Sequence, residues 1–393
     1  MSKAKSPDTR IVHTGSDPKS YKGVVNPPVY RASTVLFPTV QAMKDAEKNK
    51  FDTTFYGVHG MPTQFALEEA MADLEGGYRA VSVSSGLAAI TTALITFLQT
   101  GDHLLMVDTT YGPTRNFCNT ALKRFGVETT YYDPMIGAGI AELIKPETKV
   151  IFTESPGSDT FEIQDLPAIA EVAHQHDIKV ILDNTWSAGY YFKPFEYGVD
   201  ISVQATTKYQ AGHADLVLGH IIAKTEKDWR KIKVNVATIG QAVSPDVCYL
   251  GLRGLRTLSV RLEQHQESAL TLARWLDERP EVDTILHPAF PSCPGHDIWQ
   301  RDFTGSSGLF SVVLNDYSES QVTAMLDGMD YFAMGYSWGG FESLIVPSDP
   351  ATIRSATKWK AAGPMLRLHA GQEDVDDLIA DLERGFDRLN GRA

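Results

Sequence analysis

KVILDNTW, residues Lys179 to Trp186, is the stretch on which the reading of the fold turns. Val180 to Leu182 is a continuous apolar run that ends in Asp183. Such a run fits a strand of a parallel sheet covered on both faces. Asp183 then falls at the C-terminal end of the strand, the edge at which open α/β sheets bind ligands. A carboxylate sunk there needs a cationic partner. Downstream, ISVQATTKYQAGHAD (Ile201 to Asp215) begins as a short alternating strand, Ile201 to Gln204, and frays into an irregular segment carrying Lys208. A lysine held at such a place can lose its solvation and stay neutral, as an amine must to attack a carbonyl and form a Schiff base.

Lys208 follows Asp183 by 25 residues. An aspartate at a strand end and a lysine beyond the next strand are the pairing expected for pyridoxal phosphate. Asp183 would face the pyridine nitrogen and Lys208 would hold the aldehyde carbon. The pair is informative only together with contacts for the phosphate and the ring. Val81 to Val83 reads as a strand, Ser84-Ser85-Gly86-Leu87 as a turn, and Ala88 to Leu98 as a helix. Backbone N–H groups at such a helix start point outward, and Gly86 lets an anion approach. The absence of a Walker lysine or a G-x-G-x-x-G run favours an isolated phosphate group over a nucleotide. Tyr111, just after a Leu104 to Val107 strand, falls at the same sheet edge and offers an aromatic face to a planar ring.

The rest of the chain supports an α/β class. A helix from Thr63 carries Leu67, Met71 and Leu74 on one face and stops at Gly76-Gly77. Strands over Asp102–Val107 and Lys149–Phe152 alternate with helices over Pro113–Phe125 and Ile163–His176, which predicts a mostly parallel sheet flanked by helices. Leu250 to Leu276 reads as one long amphipathic helix leading into a smaller α+β C-terminal domain. That domain has strands at Ser306–Val313 and after Gly335, and a last helix over Asp374–Phe386. The expected division is an N-terminal extension (1–60) against a neighbouring subunit, a large cofactor-binding domain (61–254) and a C-terminal domain (255–393).

Composition limits the function classes. A net charge of −13 without a basic block argues against nucleic acid, and no apolar run approaches a membrane span. MSKAKSPDTR has no signal-peptide core, and Cys118, Cys248 and Cys293 lie far apart without metal spacing, so a cytoplasmic protein with unpaired thiols is expected. The acidic cluster Glu373, Asp374, Asp376 and Asp377 lacks a calcium loop's glycine turn and reads as a solvated helix start, and His174 and His176 read as surface helix residues. No metal site is expected.

Taken together, SSGLAAI, Tyr111, DNTW and ATTKYQAGHAD resemble the Cys/Met-metabolism family of pyridoxal-phosphate enzymes, which have fold type I. The resemblance runs from Tyr56 to the EDVDDLIADLERGF tail. ESPGS (Glu154 to Ser158), Trp186, RDFTGSSGLFS (Arg301 to Ser311) and YSWGGFESL (Tyr336 to Leu344) resemble its carbon–sulfur β-lyase branch. Relatives acting at the γ carbon usually carry leucine at the position of Trp338 and phenylalanine at that of Trp186.

The resemblance implies pyridoxal 5'-phosphate as cofactor and a small sulfur amino acid, cystathionine first, as substrate. Lys208 would be the Schiff-base lysine and catalytic base, and Asp183 the ring-nitrogen partner. Tyr111 would stack on the ring, while Gly86, Leu87 and Thr207 would hold the phosphate. Arg367 would clamp the substrate carboxylate, with Tyr336, Ser337 and Trp338 lining its pocket. Tyr56 would reach across from a neighbouring subunit of a homo-oligomer, taken as a tetramer with active sites at subunit interfaces. The alternatives are γ-elimination or γ-replacement, a cysteine desulfhydrase-type lyase, and a cofactor-binding regulatory protein. One departure stands out: Val58 occupies the place where the family carries a phosphate-binding arginine, and the neighbouring His59 is the candidate substitute.

Overall fold

The computed structural model describes residues 6–392; the first five residues of the N-terminal extension and Ala393 lie outside the described residues. Seven strands form the larger sheet: β1 (Arg79–Val83), β2 (His103–Val107), β3 (Glu128–Tyr132), β4 (Thr148–Glu154), β5 (Lys179–Asp183), β6 (Ile201–Gln204) and β7 (Gly219–Ala223). Their order is β1-β7-β6-β5-β4-β2-β3. Strands β3, β2, β4, β5 and β6 pair in parallel, and β7 runs antiparallel to both its neighbours. The mostly parallel sheet is as expected. β3, β7 and the helix Glu226–Thr238 were not anticipated.

Local sequence explains the elements that fix the sheet edge. The helix Pro62–Glu75 opens on a proline, whose missing N–H costs nothing at a first turn, and closes where Gly76 turns left-handed at φ 80°. The helix Gly86–Phe97 starts at Ser85, whose side chain accepts from the Ala88 N–H. Val180, Ile181 and Leu182 are fully buried between two apolar layers, one holding Ile90, Leu94 and Trp229, the other Ile163, Ile169 and Phe192. At roughly 1.5–3 kcal/mol per buried large aliphatic side chain, this central layer is a major stabilising block.

Four strands form the smaller sheet: β8 (Val282–Leu286), β9 (Leu309–Leu314), β10 (Leu344–Ser348) and β11 (Met365–His369), all antiparallel in the order β10-β11-β9-β8. The helices Leu258–Asp277, Glu319–Leu326 and Val375–Leu389 cover it through Leu272, Met325 and Phe386. The single helix expected over Leu250–Leu276 is broken into Pro245–Leu255 and Leu258–Asp277. The break lies where Gly254 presses on the Gln210 and Ala211 carbonyls and Arg256 donates to the carbonyls of Ile11 and Thr14. The acidic cluster serves its helix and its neighbours: Asp374 caps Val375–Leu389, and Glu373 accepts from the Ser343 N–H and hydroxyl. In the N-terminal segment, Leu36 is 89% exposed, and Val25 and Val40 also face outward.

The two sheets are tied by a buried carboxylate. Asp108, just past β2, accepts from the N–H groups of Ser355, Ala356 and Thr357 and pairs with Arg115 at 2.6 Å. Burial alone would raise its pKa, but these donors outweigh it and hold the carboxyl below its usual range. Its contribution is therefore present above the unfolded value of about 3.9 and lost as pH falls through the lower folded value. Asp108→Ala should cost about 3–5 kcal/mol by stranding Arg115 and three amides. Faster amide exchange at residues 355–357 would accompany that loss, and protection equal to wild type there would show that the carboxylate does not hold the segment.

Candidate active site

The C-terminal ends of β4, β5 and β6 open into a cleft of about 230 Å³. Gly86, Leu87, Tyr111, Asp183, Thr207, Lys208, Trp338 and Arg367, eight of the residues singled out from the sequence, line it. Arg367 comes from β11 of the smaller sheet, so the cleft lies between the two sheets. A larger hollow of about 690 Å³ on the smaller sheet is lined by the carboxylates Glu319, Asp327 and Asp349 and the phenol of Tyr317, with no cationic side chain among its described lining residues.

The lysine segment is held from several sides. Ala205 N–H donates to the Thr185 hydroxyl at 3.0 Å, and Thr206 bonds the buried His220 ring at 2.6 Å. Burial pushes His220 down to about 3, so the ring is neutral and serves as a strut to Ser82 as well. Lys208 donates to Ser337 Oγ at 2.6 Å and lies 5.0 Å from the centre of the Trp338 ring. Burial, reinforced by the Arg367 charge and opposed by Asp183, lowers its pKa to about 8. A neutral amine is thus available near neutral pH.

Asp183 and Glu154 lie side by side, because β4 and β5 pair them in register. Their carboxyls sit deep at the cleft floor, and burial raises both. The Asp183 charge adds to the burial of Glu154 and pushes its carboxyl up in the same direction. Asp183 is bonded through Oδ1 by Thr185 N–H and hydroxyl, and no described cationic side chain pairs with it. Glu154 accepts from the Tyr111 N–H at 2.7 Å and so sets the position of Tyr111, which is 44% exposed at the cleft mouth. The ESPGS motif alone does not assign Glu154 a role. Its place at the end of a strand parallel to that of Asp183 was the available signal.

The residues fit pyridoxal phosphate. Asp183 lacks a cation, and Lys208 is a desolvated amine on the same cleft. Gly86 lets the helix start press against the segment carrying Lys208, since a Cβ there would meet the Ala205 Cβ at 2.4 Å. Ser85 caps the helix through Ala88, leaving the Gly86 and Leu87 amides at its open end. Thr207 fits less simply, because its hydroxyl already donates to the Leu218 carbonyl and accepts from the Leu218 N–H.

Three expected residues stand elsewhere. Tyr336 is 96% exposed and does not line the cleft; the left-handed Ser337 beside it, at φ 81°, turns the segment so that Ser337 reaches Lys208 instead. Tyr56, 47% exposed, borders a separate hollow with Val58 and Ser244. His59 is not turned toward an anion: its ring packs on Phe51 and Phe55, with Nδ1 buried and unpartnered among the described residues. Burial lowers its pKa, with Lys50 and Lys233 adding to the effect, so it is a poor cationic substitute for an arginine. Asp159, which the sequence reading passed over, lines the cleft 3.3 Å from Arg367.

The chain is similar to known proteins over nearly its whole length. The chain is 46% identical over 388 residues to the cystathionine beta-lyase of Haemophilus influenzae, covering 97% of this chain and 98% of that one. It is 44% identical over 389 residues to the cystathionine beta-lyase of Escherichia coli K12, with the same coverage. The fold superposes with a TM-score of 0.90 on a crystal structure of cystathionine gamma synthase from Xanthomonas oryzae pv. oryzae in complex with aminoacrylate and cysteine. That structure is 30% identical in sequence, and the match covers 99% of this chain and 100% of that one. The profile described as Cys/Met metabolism PLP-dependent enzyme matches residues 8–387, and the chain belongs to that family.

Proposed function

We propose that the protein is a pyridoxal-phosphate-dependent carbon–sulfur β-lyase that cleaves cystathionine to homocysteine, pyruvate and ammonia. The observation that carries this reading is the convergence of Lys208, Asp183 and Arg367 on one cleft narrowed by two indoles, Trp186 and Trp338. The cystathionine beta-lyases at 44% and 46% identity support the substrate. We place the cofactor against Asp183, Tyr111, Thr207 and the Gly86 and Leu87 amides. When bound, pyridoxal phosphate supplies an electron-withdrawing ring beside the substrate Cα.

Arg367 binds the substrate α-carboxylate and sets which Cα bond faces Lys208. Lys208, steered by Ser337, removes the Cα proton, and the pair of electrons left behind expels the β thiolate. The thiolate takes up a proton to leave as homocysteine, and water hydrolyses the released aminoacrylate to pyruvate and ammonia. Trp186 is fixed by its Nε1–H bond to the Leu309 carbonyl, and Trp338 packs on Tyr209. Both rings line the cleft, at positions where relatives acting at the γ carbon usually carry phenylalanine and leucine, which supports β- over γ-cleavage. We further read residues 1–60 as a subunit contact that brings Tyr56 to a neighbouring cleft, in a homo-oligomer taken as a tetramer. Residues 61–254 and 255–393 are read as the two domains that form the cleft. No described helix is long and apolar enough to cross a membrane, and a cytoplasmic location is part of the same proposal.

Incubation with cystathionine should release pyruvate and homocysteine in equal amounts. Release of cysteine and 2-oxobutyrate instead would overturn the β assignment. A second expectation follows from the lysine. Because its free amine is protonated below about 8 and neutral above, the rate at which the cofactor-free protein takes up pyridoxal phosphate should rise with pH and level off above about 8. The growth of the bound cofactor's visible band checks this, and a rate independent of pH between 6 and about 9 would contradict it.

A further inference from the structure

Arg367 is not free within this chain. Its Nη1 lies 3.3 Å from Asp159 Oδ1, and the other carboxylate oxygen of Asp159 accepts from the Ser348 hydroxyl at 2.9 Å. Asp159 lines the same cleft. Its backbone is left-handed, at φ 64°, a conformation that aspartate, asparagine and glycine tolerate best. The loop around it is anchored, with Ser158 N–H on the Thr109 carbonyl and Gly157 N–H on the Glu162 carbonyl. The carboxylate is therefore built into the wall rather than carried on a loose segment.

The charges of the cleft give this placement a consequence. Among the described residues lining it, the only cationic side chains are Lys208 and Arg367. Neighbouring arginines are engaged elsewhere: Arg354 with Glu162 and Thr160, and Arg115 with Asp108. With Arg367 as the clamp, the substrate's α-carboxylate would take its remaining N–H groups. A side-chain carboxylate without an ammonium beside it would then meet Asp159 and find no cation of this chain, whereas a zwitterionic side-chain end would bring its own.

We propose that Asp159 is a specificity-determining residue: it occupies one side of the Arg367 guanidinium and offsets its charge, so that the cleft accepts amino acids whose side chains are neutral or zwitterionic, as in cystathionine, and turns away those whose side chains carry a net negative charge, as in glutamate. This rests on the reading of the cleft as an amino-acid site with Arg367 as the carboxylate clamp.

The test is a binding titration of the cofactor-loaded protein with L-alanine and with L-glutamate, read from the change in the cofactor's visible band rather than from turnover. Asp159→Asn keeps the shape and the left-handed backbone while removing the charge, and Asp159→Gly is a second variant suited to the same φ. Both should improve the affinity for L-glutamate relative to L-alanine by at least about tenfold, the scale of a unit charge several ångströms away in a partly solvated site. An unchanged ratio in both variants, or an equal weakening of both amino acids, would overturn the proposal. Cystathionine cleavage is assayed separately. A shifted ratio in a protein that does not cleave cystathionine would count against the β-lyase reading and leave the specificity role standing.

Discussion

The in-register pairing of β4 with β5 is the constraint on which the site depends. It puts the carboxyls of Glu154 and Asp183 next to each other at the floor of one cleft. Two such groups cannot both ionise cheaply in a desolvated place. Glu154 accepts from the Tyr111 amide, while Asp183 has only Thr185 as hydrogen-bond partner among the described residues and is the group in need of a cation. The apolar burial of Val180 to Leu182 holds the strand that fixes this arrangement, so stability and chemistry share one element.

Polar contacts, rather than apolar burial alone, carry the smaller sheet's contribution into the cleft. Asp108 gathers the amides of residues 355–357, Arg354 reaches Glu162 and Thr160, and Ser348 holds Asp159 beside Arg367. Each bond crosses from the loops above the larger sheet to the segment around β10 and β11. Directional bonds of this kind set where the guanidinium sits to within a fraction of an ångström, which a greasy interface does not do.

Much of this was legible in the sequence, for a physical reason. A continuous apolar run ending in a polar residue marks the end of a buried parallel strand, so Asp183 was found where it stands, and the alternation of Ile201-Ser202-Val203-Gln204 gave the next strand. The helix at Gly86 was readable from small residues preceding an apolar stretch. β3 escaped because ETTYY has no apolar run, and β7 because GHIIA is short and follows an irregular segment. The break at Arg256–Thr257 escaped because its cause is tertiary, a glycine against another segment's carbonyls. Asp159 could not be read from local pattern at all: its partner lies 208 residues away. Tyr336 faces outward in this chain because adjacent residues on an irregular loop do not share a direction, and Ser337 takes the inward position.

The central claim is that Asp183 is a carboxylate left without a protein cation so that the cofactor's ring nitrogen can supply one. The most direct measurement compares the thermal stability of wild type and Asp183→Asn, each with and without pyridoxal phosphate. Removing the charge relieves an unpaired desolvated carboxylate, so the cofactor-free variant should be at least as stable as cofactor-free wild type. The stabilisation gained on adding the cofactor should be smaller in the variant by about 1.5–3 kcal/mol, the worth of one charge-assisted hydrogen bond. A variant that gains as much from the cofactor as wild type does would contradict the account.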